Sequence, residues 1–192
     1  NPMGTSPAFQ DGDIIIWESG AVLTYILERF DLEHKLHPAP GYPSFRDRAK
    51  FLQLQQYIIA TVYPFVASLF IHTLKPKGQQ DEAYVLAAKQ KWFSVMAPVL
   101  TKELSDGPYF MGNSLSVIDF LVCKPLSNLK AMRILEKTPQ LAKLFEEIRA
   151  RPSFEKSYAP PTTTTTAAET QTNTPNKGGQ IRRSLMLVLH VD

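Results

Sequence analysis

Two short apolar runs near the start of the chain are followed by apolar residues at helical spacing. The runs are residues 8–9 and Ile14–Trp17, and the Asp11 and Gly12 pair between them favours a tight hairpin turn. From Ser19 onward, apolar residues recur three and four positions apart, as on one face of a helix. The pattern predicts two antiparallel strands that lead directly into a helix beginning at Ser19.

From residue 44 the pattern is helical. It predicts a long helix over 44–74 that is kinked at Pro64 and a second over 81–103 that is bent near Pro98. The predicted buried positions are Phe51, Ile58, Val62, Phe65, Val66, Leu69 and Phe70 in the first helix, and Leu86, Trp92, Phe93, Met96 and Leu100 in the second.

Two further helices have recognisable start signals. Ser116 and Asp119 form an S-x-x-D capping box at the start of the third helix, so we interpret Asp119 as structural and not catalytic. Thr138 and Pro139 begin a fourth helix that should extend to Arg151, where a break is expected.

Composition divides the chain into four parts. Residues 1–36 contain the hairpin and its helix, the Pro- and Gly-rich residues 37–43 form a linker, and 44–158 form an all-helical domain. The low-complexity tail, 159–192, should be disordered. Its final apolar run could be a partner-docking strand, an aggregation-prone segment or the translation of non-coding or shifted sequence, and we favour the last.

Charge and apolar runs exclude two classes of partner. Lys and Arg total 21 against 18 Asp and Glu, a net charge of +3 with no concentrated basic face, so nucleic acid is not expected. No apolar run approaches the ~20 residues that a membrane helix needs, so no membrane partner is expected.

The single cysteine, Cys123, cannot form an internal disulfide, which agrees with a reducing compartment, and we expect a cytoplasmic location. It could be a reactive thiol, but its apolar neighbours favour a buried structural role. His34, His37, His72 and His190 lack metal-ligand spacing, so we predict no metal site and interpret them as solvated or capping residues.

Glu18 and Ser19 are the strongest candidates for binding. The first N–H groups of a helix lack intrahelical partners and favour an anion, so a carboxylate would suit the position of Ser19. Glu18 could bind an ammonium group of the same ligand, and the pair would then hold the zwitterionic end of an amino acid. The alternative is that Ser19 only caps its helix and Glu18 is solvated.

The order of these parts resembles the glutathione S-transferase family from residue 1 to about residue 158. The residues that carry the resemblance are Ser6-Pro7-Ala8-Phe9, Trp17-Glu18-Ser19-Gly20-Ala21, Gly107-Pro108-Tyr109-Phe110-Met111-Gly112 and Ser116-Val117-Ile118-Asp119. It implies an α+β fold: a partial thioredoxin-like domain, made of a β-hairpin plus a helix, followed by an all-α helical domain.

The resemblance also implies how glutathione is bound. Pro7 should follow a cis peptide bond, the backbone of Ser6 should pair with the cysteinyl part, and Glu18 and Ser19 should hold the γ-glutamyl end. Glutathione would be a substrate, with no cofactor, and the protein would be a homodimer.

The family's first strand, first helix and second strand have no counterpart in this sequence, because residue 1 corresponds to a position that follows them. In the family that portion supplies the Tyr, Ser or Cys that acts on the glutathione sulfur, so the catalytic residue is unknown and we expect an N-terminally truncated chain that is inactive as given. The full-length form would conjugate the glutathione thiolate to electrophiles in detoxification. The alternative is a non-catalytic glutathione-transferase-like interaction module.

An apolar electrophile would need a pocket, which the family places between its two domains. The candidate aromatic residues are Tyr57, Tyr63, Phe65 and Trp92. Aromatic residues at helical spacing belong more often to the core, which is the alternative for each of them.

Overall fold

The computed structural model describes residues 2, 4, 6–41, 45–104 and 107–158. The predicted hairpin is present: β1 (Ala8–Asp11) pairs antiparallel with β2 (Ile14–Trp17), with Ala8 opposite Trp17. Gly12 in the turn has φ 60°, a backbone angle that glycine adopts without strain. Helix α1 (Ser19–Phe30) follows at the predicted residue.

Each of the next two long helices contains a π-helical turn. The first consists of α2 (Phe45–Tyr57), a π turn (Ile58–Val62) and α3 (Tyr63–Leu74). The second consists of α4 (Glu82–Lys91), a π turn (Trp92–Met96) and α5 (Ala97–Glu103).

The π turns stand directly before the two helix prolines. Pro64 and Pro98 are each the second residue after a π turn. Proline has no N–H to donate and its ring collides with the carbonyl one turn earlier. The wider turn, in which Tyr63 N–H bonds back to the Ile58 carbonyl, accommodates this interruption. The bends predicted at the prolines therefore take the form of π turns.

The remaining helices complete the helical part. They are α6 (Val117–Ala131), a short 3₁₀ helix (Leu135–Lys137), α7 (Pro139–Arg149) and α8 (Pro152–Tyr158). The fourth predicted helix thus ends two residues before Arg151, and the expected break leads into the short helix α8. Helix α6 packs against α2, α3 and α7 and lies at the centre of the core.

Most predicted core positions are buried. Phe51, Ile58, Val62, Val66, Leu69, Trp92, Met96 and Leu100 have at most 2% of their surface exposed, and Phe65, Phe70 and Phe93 are half-buried. The prediction for Leu86 is wrong, because this side chain is 60% exposed. The buried face of α4 passes through Ala88, and Leu86, two residues earlier, lies on the opposite side.

The continuous helical stretch Phe45–Leu74 is 30 residues long. It contains an 18-residue segment with a mean hydropathy of 1.6, and 22% of that segment is buried. By length and composition it could cross a membrane, so the expectation that no stretch approaches that length is wrong. Val62, Val66 and Leu69 have no exposed surface and belong to the core. Core helices of globular domains meet the same criteria, so the stretch is weak support for a membrane partner.

The architecture is the predicted α+β arrangement, a hairpin with its helix followed by a helical domain. The three predicted boundaries between the four parts of the chain stay predictions. Ser44 and the tail, residues 159–192, lie outside the described residues.

Candidate functional site

The first turn of α1 is open at its N-terminus. Glu18 is the N-cap residue, and no described side chain caps the turn. The Glu18 carbonyl accepts a hydrogen bond from Val22 N–H at 2.9 Å, whereas the N–H groups of the first three helical residues have no acceptor within the helix. The interpretation of Ser19 as a mere cap is therefore wrong, and the helix dipole leaves a partial positive charge facing outward.

Glu18 has an unusual backbone conformation, with φ 74° and ψ 123°. A positive φ is uncommon for any residue other than glycine and costs free energy. The side chain is exposed, so its carboxylate is available to a ligand beside the helix N-terminus.

Ser6 and Pro7 lie at the same end of the hairpin as Glu18. Because Ala8 is paired with Trp17, the preceding residue, Pro7, is placed next to Glu18 across the hairpin. The Ser6–Pro7 peptide bond is cis, as the resemblance implied. The hairpin therefore brings together four residues that lie in two separate stretches of sequence: Ser6, Pro7, Glu18 and Ser19.

A buried glutamine fixes α1 against the helical domain. Gln55 on α2 is 1% exposed, and its Nε2 donates to Thr24 Oγ1 at 3.2 Å and to the Gly20 carbonyl at 3.5 Å. The first turn of α1 thus lies directly beside α2.

The aromatic residues proposed for an electrophile pocket do not share one environment. Tyr63 is 39% exposed and Trp92 has no exposed surface. Trp92 therefore cannot line an open pocket, and the prediction is wrong for this side chain. Tyr57 is half-buried against the core, and burial raises the pKa of its phenol.

A surface cavity lies away from these residues. It has a volume of about 180 Å³ and lies between the end of α5 and α7, where Leu104, Pro108, Lys143 and Glu147 are among the residues that line it. It contains none of the residues that the sequence predicted for a site.

Asp119 and Cys123 are structural, as predicted. Asp119 is fully buried and accepts hydrogen bonds from Phe110 N–H at 2.9 Å and from Ser116 N–H at 2.8 Å. Burial raises the pKa of Asp119, although these hydrogen bonds act in the opposite direction. Burial also raises the pKa of Cys123 to about 12, so the thiol has almost no thiolate at neutral pH.

His37, the first residue of the predicted linker, is buried, whereas His34 is exposed. His37 is 3% exposed, and its Nδ1 lies 2.7 Å from Asp31 Oδ2. The other ring nitrogen, Nε2, lies 3.1 Å from His34 Nδ1. The interpretation as solvated residues is therefore wrong for His37, because Asp31 and His34 satisfy both of its ring nitrogens.

Gln55 and the contact between Asp31 and His37 were not predicted from the sequence. A signal for Gln55 existed, since it falls between the buried positions Leu54 and Ile58 on a helix and a polar residue there must find a partner. For His37 no signal existed, because its two partners are brought to it by the loop. Among the residues that the structure describes, no group of three His, Cys, Asp or Glu side chains could hold a metal ion.

Comparison with protein families gives two matches along the chain. Residues 61–159 match the family described as glutathione S-transferase, C-terminal domain. Residues 1–28 match glutathione S-transferase, N-terminal domain. The second match includes the hairpin and most of α1, and therefore the four residues predicted to bind glutathione, Ser6, Pro7, Glu18 and Ser19.

Individual relatives are consistent with these matches. Glutathione S-transferase Z2 of Arabidopsis thaliana is 28% identical over 162 residues, which cover 82% of this chain and 69% of the relative. The stringent starvation protein A homolog of Pasteurella multocida is 28% identical over 137 residues, covering 70% of this chain and 57% of the relative.

Solved structures share the fold. Glutathione transferase URE2P6 from Phanerochaete chrysosporium, in complex with oxidized glutathione, aligns with a TM-score of 0.70 at 21% identity, covering 81% of this chain and 72% of that one. The C-terminal domain match alone spans more than half of the sequence. The chain therefore belongs to the glutathione S-transferase family.

Proposed function

We propose that the protein binds glutathione at the N-terminus of α1 and that its full-length form conjugates the glutathione thiolate to electrophilic substrates. The observation that carries the proposal is the open first turn of α1, with free N–H groups beside the exposed carboxylate of Glu18. Membership of the family and the similarity to transferases support it.

The γ-glutamyl end of glutathione is a zwitterion and matches the two charges of this turn. Its α-carboxylate would accept hydrogen bonds from the N–H groups of Ser19 and Gly20 and from the Ser19 hydroxyl. Its ammonium would pair with Glu18, and the Ser6 backbone would bond to the cysteinyl unit. Charge-assisted hydrogen bonds of this kind are roughly twice as strong as neutral ones.

These groups position the tripeptide but do not activate its sulfur. Thiolate formation at neutral pH requires a donor or a positive charge directed at the sulfur atom. We assign that role to none of the described residues. The described turn would therefore provide glutathione binding, and activation of the sulfur is a separate function.

Calorimetric titration with glutathione tests the binding half of the proposal. Glu18→Gln removes the charge that pairs with the ligand ammonium and should raise Kd by about tenfold. Ser19→Ala removes one donor and should raise Kd by about threefold. Both substitutions leave the core untouched.

Asp13→Asn is the matched control for Glu18→Gln. Asp13 is an exposed acidic residue in the turn at the opposite end of the hairpin, so this variant should bind glutathione like the wild type. Unchanged affinity in both Glu18→Gln and Ser19→Ala would refute the site.

Conjugation is tested with glutathione and a chloronitroaromatic electrophile, followed as the initial rate above the uncatalysed reaction. For the full-length protein we expect turnover, with Glu18→Gln acting mainly through a higher KM for glutathione. Glutathione binding without turnover by the full-length form would contradict the conjugation half alone.

We further propose that the electrophile is apolar and that the protein is a cytoplasmic homodimer.

A further inference from the structure

Gln56 on α2 lies beside the open turn of α1. Gly20, the second residue of α1, carries no side chain, and a Cβ built on it would lie 3.4 Å from Ile59 Cδ1 and 4.0 Å from Gln56 Nε2. The Gln56 side chain is exposed. In the part of the chain that the structure describes, it has no hydrogen-bond partner, unlike the neighbouring Gln55.

The backbone of Gln56 is held firmly relative to α1. Gln55 is hydrogen-bonded to Gly20 and Thr24, and Leu54 and Ile58 on the same helix are buried in the core. Only the side-chain torsions of Gln56 remain free. Binding a ligand would therefore require ordering of the side chain alone and no movement of the backbone.

We propose that Gln56 is a specificity-determining residue that donates from Nε2 to the α-carboxylate of the γ-glutamyl group. This inference rests on the proposed function, because it concerns the same bound tripeptide. The free N–H groups of α1 attract the carboxylate to the N-terminal end of the helix, and Gln56 adds a donor from the helical domain next to Gly20. The site would thereby select ligands with a free α-carboxylate at that end.

A neutral donor suits this position. An additional cation would compete with the ligand ammonium for Glu18, and a carboxylate would repel the ligand carboxylate. Gln56→Glu should therefore weaken binding more than Gln56→Leu, although glutamate is the closer match in shape.

The test uses calorimetric titration of the whole 192-residue chain with two probes. One is glutathione, and the other is a glutathione analogue whose γ-glutamyl α-carboxylate is converted to an amide. Gln56→Leu should raise Kd for glutathione by about fivefold, within the range of a typical solvent-exposed hydrogen bond. The same variant should leave Kd for the amide analogue nearly unchanged, because the charged acceptor is then missing.

Gln90→Leu is the matched control, since Gln90 is an exposed glutamine on α4, which belongs to a different long helix. It should bind both probes like the wild type. Circular dichroism and the urea midpoint should show that Gln56→Leu folds normally.

The outcomes separate this inference from the proposed function. If Glu18→Gln weakens glutathione binding and Gln56→Leu does not, the role of Gln56 is refuted and the site stands. If Gln56→Leu weakens both probes equally, Gln56 does not recognise the carboxylate and the inference is also refuted. If the wild type binds no glutathione, both the proposed function and the inference fail.

Discussion

Glu18 has a backbone angle that normally belongs to glycine. Within the described part of the chain, three residues other than glycine have a positive φ: Glu18, at 74°, His34 and Arg133. Such a conformation costs about 1–3 kcal/mol and persists where the surroundings enforce it. Here it turns the chain from β2 into α1 and leaves the Glu18 carboxylate at the helix N-terminus.

The strain at Glu18 should be measurable by substitution. Glu18→Gly removes the steric cost but makes the unfolded chain more flexible, and the net effect should be a stabilisation of about 1 kcal/mol. Urea unfolding measures the change, and titration should show weaker glutathione binding. Glu18→Ala, which keeps a Cβ, should lose binding without gaining stability. A Glu18→Gly variant less stable than the wild type would contradict the assignment of strain.

The thiol of Cys123 should be inert in the folded protein. Burial raises its pKa to about 12 from an ordinary value of 9.0, so the thiolate is disfavoured throughout the neutral range. The folded state keeps the thiol proton that the unfolded state loses above about pH 9. The free energy of unfolding therefore receives the full benefit of the neutral thiol below that pH, and the benefit is lost as pH rises towards the folded-state pKa.

Alkylation checks this prediction. At pH 8, iodoacetamide should leave the native protein unmodified over a time in which the urea-unfolded chain is fully alkylated, as measured by mass spectrometry. Cys123 is the only cysteine, so the mass shift has a single origin. Rapid alkylation of the native protein would show that the thiol is accessible.

At the scale of elements, α6 depends on the capping box at its N-terminus. Asp119 accepts two backbone N–H bonds and a third hydrogen bond, from the Ser116 hydroxyl at 3.0 Å. One of the backbone donors, Phe110, lies in the loop that precedes the helix. The box therefore fixes both the start of α6 and the approach of the chain to it.

Removing Asp119 should be one of the more damaging single changes. Asp119→Ala leaves the Phe110 and Ser116 N–H groups buried without acceptors and should cost about 3 kcal/mol in the free energy of unfolding. Asp81→Ala, at the exposed N-cap of α4, is the comparison and should cost about 1 kcal/mol. Urea unfolding measures both, and equal losses would show that burial adds nothing to the cap.

Sequence predicted the elements well because their signals are local. The Asp11 and Gly12 turn, the start of α1 at Ser19 and the box at Ser116 each follow from a few neighbouring residues. The π turns before Pro64 and Pro98 could not be predicted, because proline indicates an interruption without fixing how the helix absorbs it. The predicted burial of Leu86 was wrong because α4 has a narrow buried face, and the helices packed against α4 decide which residues lie on it.

The candidate site was predictable only in part. Glu18 and Ser19 adjoin a helix start, which a pattern can reveal. The placement of Pro7 beside Glu18 depends on the hairpin register, and the approach of Gln55 and Gln56 depends on how α2 packs against α1. Contacts of that kind join residues that are far apart in sequence, and a local pattern does not contain them.

At the scale of the whole molecule, Asp31 joins the hairpin half to the helical half. It follows α1 and accepts hydrogen bonds from Lys35 N–H, Leu36 N–H and His37. The Leu36 carbonyl accepts from Val117 N–H at 2.9 Å, and the His37 ring packs against Phe51. The segment after α1 is thus bonded to α6 and in contact with α2.

This junction should depend on pH. Burial alone would raise the pKa of Asp31, but the hydrogen bonds from Leu36, His37 and Lys35 outweigh it and hold the pKa below the ordinary 3.8. A lowered carboxyl pKa stabilises the fold above about pH 4, and the stabilisation is lost as pH falls through the folded-state value.

Asp31→Asn should therefore be less stable than the wild type by about 1–2 kcal/mol near neutral pH, with the difference shrinking below about pH 4. Urea unfolding from acid to neutral pH measures the difference. Glu33→Gln, at an exposed ion pair with Lys35, should differ little from the wild type at any pH. A difference for Asp31→Asn that stayed constant into acid would contradict this account.

The two tryptophans are intrinsic fluorophores in different environments. Trp17 is 42% exposed and stands next to Glu18, whereas Trp92 is completely enclosed by the core. Emission from Trp17 should be red-shifted and readily quenched by acrylamide, and emission from Trp92 blue-shifted and shielded. A ligand that docks beside Glu18 would change only the first component, while loss of the packed core would change both, so a fluorescence titration distinguishes occupancy from unfolding without any label.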